Sequence, residues 1–435
     1  MKRISVMGLG RSGIACAKLL KERGFEVFAS DINYKEIELD DIEVELGKNS
    51  ERILESNMIV VSPGIPLSHP IILKARKMGL PVVGELEMAS RFIPEGIPIV
   101  AITGTNGKTM TAFMIQKILE KEDRSSVVTG NASPGIPLSD ALTQIRDGAI
   151  PIIEVSTFQL ETIKEFHPNI AVLLNISPDH LDRHSKFDDY VKLKAKIFVN
   201  QGANDFGILN FDDELVKRIG GGLSSQKIFF SIKNKSDAYV EDNNIVWRDE
   251  LICNTKELTF KGDFFLEDAL AAVAVTKTLD VKTENLRQGL LDWNGIPHRL
   301  EFVAEKRGVK FINNSMCTNP AAFSKTLLSF RKPVILIAGG KTKCIDYTEI
   351  LDAITKGAKS TILLGEVKLE LKSLLVKRGY RRVICTNSME EAVRQAFTIA
   401  FPGDTILLSP GFASFDLFKD FQERGEKFKE AVKRL

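Results

Sequence analysis

The sequence predicts an α/β protein of three domains, and three observations support this fold class. Short apolar runs alternate with stretches whose apolar residues recur at helical spacing, which is typical of parallel sheets covered by helices. Glycine-rich turns follow the apolar runs that begin at residues 4 and 99. A further series of such runs begins near residue 310. The predicted domains are 1–96, 97–297 and 298–435, each long enough to form its own core.

The composition excludes several classes of protein. The chain of 435 residues has 59 basic and 57 acidic side chains, a net charge of +2, which argues against a protein that coats nucleic acid. Its five cysteines have no paired spacing, so we expect reduced thiols and no zinc site. The N-terminus reads as a first strand, not as a signal peptide, and no apolar run is long enough to cross a bilayer. We therefore expect a cytoplasmic protein without membrane insertion.

The first domain carries a nucleotide-binding fingerprint. A predicted strand at 4–7 leads into Gly-Leu-Gly-Arg-Ser-Gly, then a helix at 14–23 and a strand from 26 that ends near Asp31. A glycine turn before a helix, with an acid after the second strand, is typical of Rossmann-like domains. A strand at 58–61 delivers the loop that begins at Ser62 to the same edge of the sheet. The alternative is a tight turn that binds no ligand.

The second domain begins with a phosphate-binding pattern. A strand at 99–102 and a helix at 110–120 flank the predicted loop, which consists of Gly104, Thr105, Asn106, Gly107, Lys108 and Thr109. Glycines at such a turn let backbone N–H groups face an oxyanion, a lysine reaches the outer phosphates and a hydroxyl binds Mg²⁺. The full motif has glycine where this chain has Ile102, so an ordinary strand-to-helix turn is the alternative. We predict a P-loop-type domain.

Three further strands of this domain end in polar residues. The strands at 127–128, 152–153 and 170–174 are followed by Asn131, Glu154 and His180. The carboxyl ends of parallel strands meet at one edge of a sheet, so these side chains would lie near the phosphate loop. Oxygen and imidazole groups beside a triphosphate indicate Mg²⁺ sites. Taken singly, each of the three also fits a structural role.

The rest of the second domain predicts a small antiparallel section. A helix at 187–198 carries several lysines, which the residues alone suggest to be a solvated face. Short strands separated by polar turns, and then a helix at 266–279, follow. The predicted strands lie at 207–210, 228–230, 244–247 and 258–260.

The third domain repeats the alternation of strand and helix. This pattern predicts an open, Rossmann-like α/β sheet. Its loops at 313–319, 339–343 and 409–416 carry the unusual polar residues. The predicted strands lie at 310–312, 334–338, 361–364, 383–385 and 405–408.

Seven stretches together carry a family resemblance. In order they are GLGRSG, SPGIPLSHP, ITGTNGKT, EVSTFQLE, NISPDHLDRH, PHRLEF and SPGFASFDLFKDFQERG. With these motifs the chain resembles the Mur ligases over essentially its whole length, and most of all those that join D-glutamate to UDP-N-acetylmuramoyl-L-alanine. The resemblance implies an ATP-dependent, ADP-forming amide ligase of peptidoglycan precursor synthesis that acts through an acyl phosphate. It also implies ATP and two Mg²⁺ sites, and we expect a monomer.

The resemblance also implies roles for individual residues. The implied catalytic residues are Lys108, Glu154, His180 and Lys194. The implied metal ligands are Thr109, Asn131, Glu154, His180 and Lys194, the last as a carbamylated lysine. The implied ATP contacts are the loop from Gly104 to Thr109, Asp268 and Arg299. The implied contacts of the nucleotide-linked substrate and the amino acid are Gly8, Gly10, Arg11, Ser12, Gly13, Asp31, Ser62, Pro63, Gly64, Asn131, Ser156, Gln159, Thr318, Lys343, Ser414 and Phe421.

Some residues depart from the family pattern and leave alternatives open. Asn314 and Met316 stand where the family usually has an acid and a lysine, and Lys341 adds a positive charge. These changes favour a different amino acid, such as L-glutamate, or a different carboxylate substrate. A catalytically silent nucleotide-binding regulator is another alternative, although the retained metal-site residues argue against it. A dehydrogenase, suggested by the first glycine loop alone, explains neither the phosphate loop nor the third domain.

Overall fold

The computed structural model describes residues 2–34, 36–37, 39–178, 186–259, 263–330, 332–341 and 346–435. The chain forms two compact units, Met1–Trp293 and Asn294–Leu435. In the part of the chain that is described, no helix is both long and apolar enough to span a membrane. Three sheets organise the molecule, two in the first unit and one in the second. The predicted α/β fold class is confirmed.

The N-terminal sheet has five parallel strands in the order β3-β2-β1-β4-β5. The strands are β1 (Arg3–Met7), β2 (Glu26–Asp31), β3 (Glu43–Leu46), β4 (Met58–Val61) and β5 (Val82–Gly84). The helices are α1 (Arg11–Glu22), α2 (Pro70–Lys77) and α3 (Glu85–Ser90). Because β1 lies at the centre, the loops after β1, β2 and β4 share one edge. This is the Rossmann-like arrangement that the sequence predicts.

The central sheet has nine strands in the order β14-β13-β12-β11-β10-β9-β6-β8-β7. The strands are β6 (Val100–Thr103), β7 (Ser126–Gly130), β8 (Ile150–Glu154), β9 (Ile170–Leu173), β10 (Phe206–Asn210), β11 (Gln226–Ser231), β12 (Ala238–Glu241), β13 (Asn244–Trp247) and β14 (Glu250–Asn254). The helices are α4 (Lys108–Lys121), α5 (Leu138–Arg146), α6 (Thr157–Leu160), α7 (Phe187–Ala195), α8 (Glu214–Gly221), α9 (Asp263–Thr278) and α10 (Thr283–Leu291). Strand β6 is buried between β8 and β9, so the loop that follows it lies at the middle of the sheet edge.

The strand predicted at 258–260 is wrong for residues 258 and 259, which form a bend, and residue 260 lies outside the described residues. The last strand of the antiparallel section is β14, which pairs with β13 from Trp247 opposite Glu250 onward. Arg248 and Asp249 between them have positive φ angles of 44° and 69°, the two-residue turn that joins twisted antiparallel strands. This tight turn starts the returning strand at once. The chain leaves the sheet at Asn254, and Leu258 is buried in a bend.

The C-terminal unit has a six-stranded sheet in the order β15-β16-β20-β17-β18-β19. The strands are β15 (Glu301–Lys306), β16 (Val309–Asn313), β17 (Val334–Gly339), β18 (Ala358–Leu364), β19 (Val383–Cys385) and β20 (Thr405–Gly411). The helices are α11 (Pro320–Leu328), α12 (Thr348–Gly357), α13 (Lys368–Lys377), α14 (Met389–Thr398) and α15 (Phe421–Lys433). All strands are parallel except β15, which pairs antiparallel with β16 at the edge. One apolar cluster packs helices α11, α12 and α13 on the sheet, and a second packs α14 and α15 on it. The sheet therefore has the doubly covered core that parallel strands require.

Two buried carboxylates of α3 join the N-terminal domain to the central domain. Glu85 Oε1 accepts hydrogen bonds from the backbone N–H and the hydroxyl of Ser139, both at 2.7 Å. Glu87, which is 0% exposed, accepts from the backbone N–H groups of residues 164, 165 and 166 at 2.9 to 3.1 Å and from Arg91 at 2.9 Å. The neighbouring domain therefore solvates Glu87 as an anion, whereas burial raises the pKa of Glu85 and favours its neutral form.

The carboxylate of Glu87 makes stability depend on pH. Burial opposes its ionisation, but the three N–H donors and Arg91 outweigh burial and hold its pKa below the ordinary value of 4.5. A lowered folded-state pKa gives stability that is complete above the unfolded-state pKa and is lost as the pH falls through the folded-state value. We expect Glu87→Gln to cost about 2 kcal/mol at pH 7 and clearly less at pH 3. Urea unfolding at both pH values measures this.

The exposed Glu95 supplies the control, because Glu95→Gln should leave both unfolding curves unchanged. An equal cost of Glu87→Gln at the two pH values would show that shape, and not charge, determines its contribution.

Candidate active site

The phosphate loop lies between β6 and α4 and is held from two sides. Backbone N–H groups of Thr105 and Asn106 donate to the carbonyl and side-chain oxygens of Asn175, at 3.0 and 2.9 Å. Gly107 has a φ of 86°, and a Cβ there would lie 2.1 Å from Oδ1 of Asp268 on α9. Only glycine fits this position. The loop is therefore fixed by its own central-domain neighbours.

Two lysine ammonium groups converge on the loop. Nζ of Lys108 donates to the carbonyl oxygens of Gly104 and Thr105 at 3.0 and 3.1 Å. Nζ of Lys194, on α7 and 2% exposed, donates to the same Gly104 oxygen at 2.7 Å. The Lys194 ammonium also lies 4.7 Å from the ring centroid of Tyr190, whose hydroxyl is 3.1 Å from the Thr105 hydroxyl. Paired positive charge at a helix N-terminus suits a polyanion such as a triphosphate.

A buried carboxylate lies beside the N-terminus of α4. Glu154, 3% exposed at the end of β8, accepts from the Thr109 hydroxyl at 2.6 Å and from the Asn131 side-chain amide at 3.1 Å. Both partners are neutral, and across the described residues Glu154 forms no salt bridge. A buried anion with neutral partners is electrostatically incomplete and favours a cation. Hydroxyl, carboxylate and amide oxygens are ligands that Mg²⁺ accepts.

The structure thus brings together three of the five predicted metal ligands, namely Thr109, Asn131 and Glu154. The ammonium of Lys194 donates instead to the Gly104 carbonyl of the neighbouring loop. His180 lies outside the described residues, as does Lys343. Among the residues that are described, no group of three or more His, Cys, Asp or Glu side chains forms a metal cluster. The ligand set, and a second site, stay predictions.

A cavity of about 630 Å³ opens at the edge of the N-terminal sheet. The predicted residues that line it are Gly8, Gly10, Arg11, Ser12, Asp31, Ser62, Pro63, Gly64 and Asn131. Asp31 accepts from the backbone N–H groups of Leu9 at 2.7 Å and Asn33 at 2.9 Å, so its carboxylate is fixed at the cavity wall. Asn131 belongs to the central domain and also contacts Glu154, so this cavity and the buried carboxylate share a residue.

Gly13 has a packing role in this region. A Cβ at Gly13 would lie 1.9 Å from the carbonyl oxygen of Gly8, so only glycine lets α1 start this close to the first loop. The Ser62 hydroxyl donates to the same Gly8 oxygen at 2.6 Å. The side chain of Arg11 donates to the carbonyl of Gly135 in the central domain. The loop is thus braced by residues that the fingerprint alone does not reveal.

His69 and Asn49 are among the cavity-lining residues that were not predicted from the sequence. His69 lies in the SPGIPLSHP stretch, and its Nδ1 accepts from the backbone N–H of Ile71 at 3.3 Å, which leaves the ring proton on Nε2. Asn49 accepts from the Ser30 hydroxyl at 2.7 Å through its side-chain oxygen. His69 could have been predicted from the SPGIPLSHP motif in which it lies, whereas Asn49 lies in a polar loop that carries no motif.

Ser156 and Gln159 form a capping box at the start of α6. The Gln159 side-chain oxygen accepts from the backbone N–H of Ser156 at 3.0 Å and from its hydroxyl at 2.9 Å. This pairing explains the two residue types locally, without a ligand. Gln159 nevertheless lines a narrow cleft together with Ser62 and Gly84. Their contact with substrate stays a prediction.

Asp268 lies under the phosphate loop. It is 7% exposed, and its Oδ1 accepts from the Thr111 hydroxyl at 3.2 Å. This position is consistent with a residue that shapes the loop from below, and a direct contact with ATP stays a prediction.

The C-terminal unit holds the remaining predicted residues. Arg299 is exposed between His298 and Leu300, which have positive φ angles of 62° and 50°. Ser414 is buried after β20, and Phe421 begins α15 with its ring edge-on to His298 at 6.1 Å. Thr318 is exposed in the loop after β16.

The departures from the family pattern lie around the same loops. Asn314 is 4% exposed, its amide donates to the Ser409 hydroxyl at 3.2 Å, and its oxygen accepts from the N–H of Leu300 at 3.2 Å. Both the amide nitrogen and the oxygen of this neutral side chain therefore form hydrogen bonds within the protein. Lys341 is exposed, and its backbone pairs with that of Ala413 at 2.9 and 3.2 Å.

Comparison with known proteins identifies the family. The Mur ligase MurD-like N-terminal domain matches residues 2–84, the Mur ligase middle domain matches 102–276, and the Mur ligase glutamate ligase domain matches 298–412. A UDP-N-acetylmuramoylalanine–D-glutamate ligase of Pelotomaculum thermopropionicum is 40% identical over 449 residues, covering 100% of this chain and 98% of that protein. The enzyme of the same name from Clostridioides difficile is 35% identical, covering 100% and 99%.

Solved structures agree on the fold. UDP-N-acetylmuramate-alanine ligase from Thermotoga maritima has a TM-score of 0.55 at 17% identity, with 100% of both chains covered. MurF from Acinetobacter baumannii also has a TM-score of 0.55, at 16% identity, with 94% of this chain and 85% of that chain covered. Since full-length relatives exceed 30% identity and three family models follow one another along the sequence, the chain belongs to the Mur ligase family, with an N-terminal domain of the MurD-like type.

Proposed function

We propose that this protein joins D-glutamate to UDP-N-acetylmuramoyl-L-alanine at the expense of ATP, in peptidoglycan precursor synthesis. The observation that carries the proposal is the buried Glu154 with its neutral partners, set beside the phosphate loop and the ammonium group of Lys108. The full-length relatives bear the name of this reaction. The family to which the chain belongs uses ATP and Mg²⁺, and both follow for this protein.

The reaction has two steps. The terminal carboxylate of the nucleotide-linked substrate attacks the γ-phosphorus of ATP, the bond from that phosphorus to the bridging oxygen breaks, and ADP leaves. The amine of D-glutamate then attacks the acyl carbon, inorganic phosphate leaves, and the amine loses its proton. Both steps bring anions together, so the protein must chiefly position groups and neutralise charge.

Individual residues divide these tasks. Lys108 would exchange its two carbonyl contacts for the outer phosphates, because its ammonium already stands over the loop. Thr109, Asn131 and Glu154 would hold Mg²⁺, which neutralises phosphate charge when bound. The 630 Å³ cavity would take the UDP-sugar, with Asp31 as a fixed acceptor. Because Asn131 also lines this cavity, the carboxylate end of the bound substrate would face the central domain.

The finer assignments form part of the same proposal. A second Mg²⁺ would be held with His180, and Lys194 would be carbamylated, which exchanges its ammonium for an anion. Asp268 and Arg299 would contact the nucleotide. Thr318, Lys343, Ser414 and Phe421 would hold the amino acid. We also propose that the enzyme is cytoplasmic and monomeric.

Phosphate release tests the proposal. Purified protein is given ATP, Mg²⁺ and UDP-N-acetylmuramoyl-L-alanine with D-glutamate, with L-glutamate or without an amino acid, and the product mass is determined. We expect turnover only with D-glutamate. Turnover with L-glutamate would instead indicate that the two substituted loops, one at Asn314 and one at Lys341, accept a different amino acid. A protein that binds ATP and yields no product with any glutamate would contradict the proposal.

A further inference from the structure

A buried arginine connects the loops of the C-terminal unit. Arg424, on α15 and 1% exposed, is the largest fully buried side chain among the described residues. Its Nε donates to the Ser315 hydroxyl at 3.0 Å, one terminal nitrogen to the Ser315 carbonyl at 2.8 Å, and the other to the Phe412 carbonyl at 3.1 Å. One planar guanidinium therefore fixes the loop after β16 and the loop after β20 to α15.

The same contacts extend to the residues proposed to hold the amino acid. The Ser315 hydroxyl in turn donates a hydrogen bond to the carbonyl oxygen of Phe421 at 2.8 Å. Phe412 precedes Ser414 by two residues, and Ser315 precedes Thr318 by three. Thr318, Ser414 and Phe421 thus all lie within three residues of an atom that Arg424 or Ser315 holds.

A third loop lies close to this arginine. A Cβ added at Gly340, after β17, would lie 3.2 Å from a terminal nitrogen of Arg424 and 2.2 Å from the carbonyl oxygen of Ala413, so the absence of a side chain there leaves room for the guanidinium. The backbone of Lys341 pairs with Ala413 in both directions, which joins the loop after β17 to the loop after β20.

The charge of Arg424 is also unusual. It forms no salt bridge with any residue in the described part of the chain, and its hydrogen-bond acceptors are two carbonyls and a hydroxyl. Burial lowers its pKa to about 10, with Asp416 acting in the opposite direction, so the side chain is still a cation at pH 7. The direct acceptors of the guanidinium are neutral, and the carboxylate of Asp416 is a nearby anion that partly offsets the cost of burying this cation.

We infer that Arg424 is a positioning residue for the amino-acid substrate: its guanidinium sets the spacing of the Ser315 and Phe412 loops, which lead to residues proposed to hold that substrate. This inference rests on the proposed function for the identity of the substrate. It assigns Arg424 no contact with substrate. Lysine does not reproduce the role, because a single ammonium does not present the planar fork that reaches both carbonyls.

Steady-state kinetics of Arg424→Lys test the inference. We expect KM for D-glutamate to rise about tenfold or more, while KM for ATP and for the UDP-linked substrate stays within about twofold. Arg434→Lys is the matched control, because Arg434 follows the same helix and its side chain is 68% exposed. A drop in kcat with an unchanged KM for D-glutamate would instead mean fewer folded molecules and would overturn the inference.

A milder variant guards against misfolding. Ser315→Ala removes the hydroxyl that links Arg424 to Phe421 and should raise KM for D-glutamate by a smaller factor. Combined with Arg424→Lys, its effect should be less than additive, since both changes break one network. Additive effects would contradict a shared role.

Hydrogen exchange provides a readout that does not need turnover. Arg424→Lys should speed amide exchange in residues 313–319 and 412–421 and leave β17 and β18 protected. If the wild-type protein makes no product with any amino acid, the proposed function fails, while this exchange pattern still decides whether Arg424 orders the loops. Unchanged exchange in both segments would overturn the positioning role.

Discussion

Replacing Lys108 with alanine is expected to reduce kcat by about 10³-fold or more, while the affinity for the UDP-linked substrate stays within about twofold. The ammonium of Lys108 stands over the phosphate loop, bound to the Gly104 and Thr105 carbonyls, and the cavity proposed to take the UDP-sugar has a separate lining. Removing it should therefore affect phosphoryl transfer and spare the other site. Phosphate release measures kcat, and calorimetric titration of the nucleotide-linked substrate measures affinity.

Lys117→Ala is the matched control for this variant. Lys117 lies on the same helix, and its partly exposed side chain pairs with Glu120 at 3.1 Å, so its removal should leave both readouts unchanged. If Lys108→Ala reduced the affinity for the UDP-linked substrate as much as it reduced kcat, Lys108 would contribute to substrate binding, and its assignment to phosphoryl transfer would be wrong.

Lys194→Ala is expected to reduce kcat about 100-fold, with partial recovery when acetate or formate is added. A small carboxylate can occupy the space of the missing side chain and replace the anion that a carbamylated lysine would supply. Thermal unfolding of the variant, with and without acetate, separates this chemistry from loss of structure. Intact-protein mass in the presence of bicarbonate is a further check on the modification.

Lys192→Ala is the control here, because Lys192 is exposed on the same helix. Full activity of Lys194→Ala without any added carboxylate would exclude the carbamate. A loss that no carboxylate restores would favour the contact seen in the structure, in which the Lys194 ammonium holds the Gly104 carbonyl of the phosphate loop.

Elements defined by local pattern were predicted well from the sequence. The strands β4, β13 and β19 have the predicted bounds, and the phosphate loop begins a helix as its glycines indicate. The strands β3, β5, β12 and β15 were missed; β3 and β15 mix charged with apolar residues and so lack the apolar run by which β4 was recognised. The strand expected at 258–260 failed because a two-residue turn, not apolar content, sets where β14 starts.

The site shows the same division between local and distant information. Thr109, Asn131 and Glu154 were expected to meet because each follows a parallel strand, and the structure does bring them together. No pattern in the residues alone singles out Lys194 among the lysines of α7. Arg424 was missed because a basic residue in a polar helix looks like a solvated one, and its burial depends in part on the loop at Ser315, which is 109 residues away in sequence.

The two carboxylates of α3 have a consequence for recombination between relatives. When residues 1–96 of this protein are moved into a relative, Glu87 keeps its partners, because the N–H groups at 164–166 are main-chain donors that any residue except proline provides. Glu85 is different, since one of its two donors is the hydroxyl of Ser139. The transferred domain should therefore tolerate almost any recipient sequence at 164–166 and yet require a serine or threonine in the recipient at the position of Ser139.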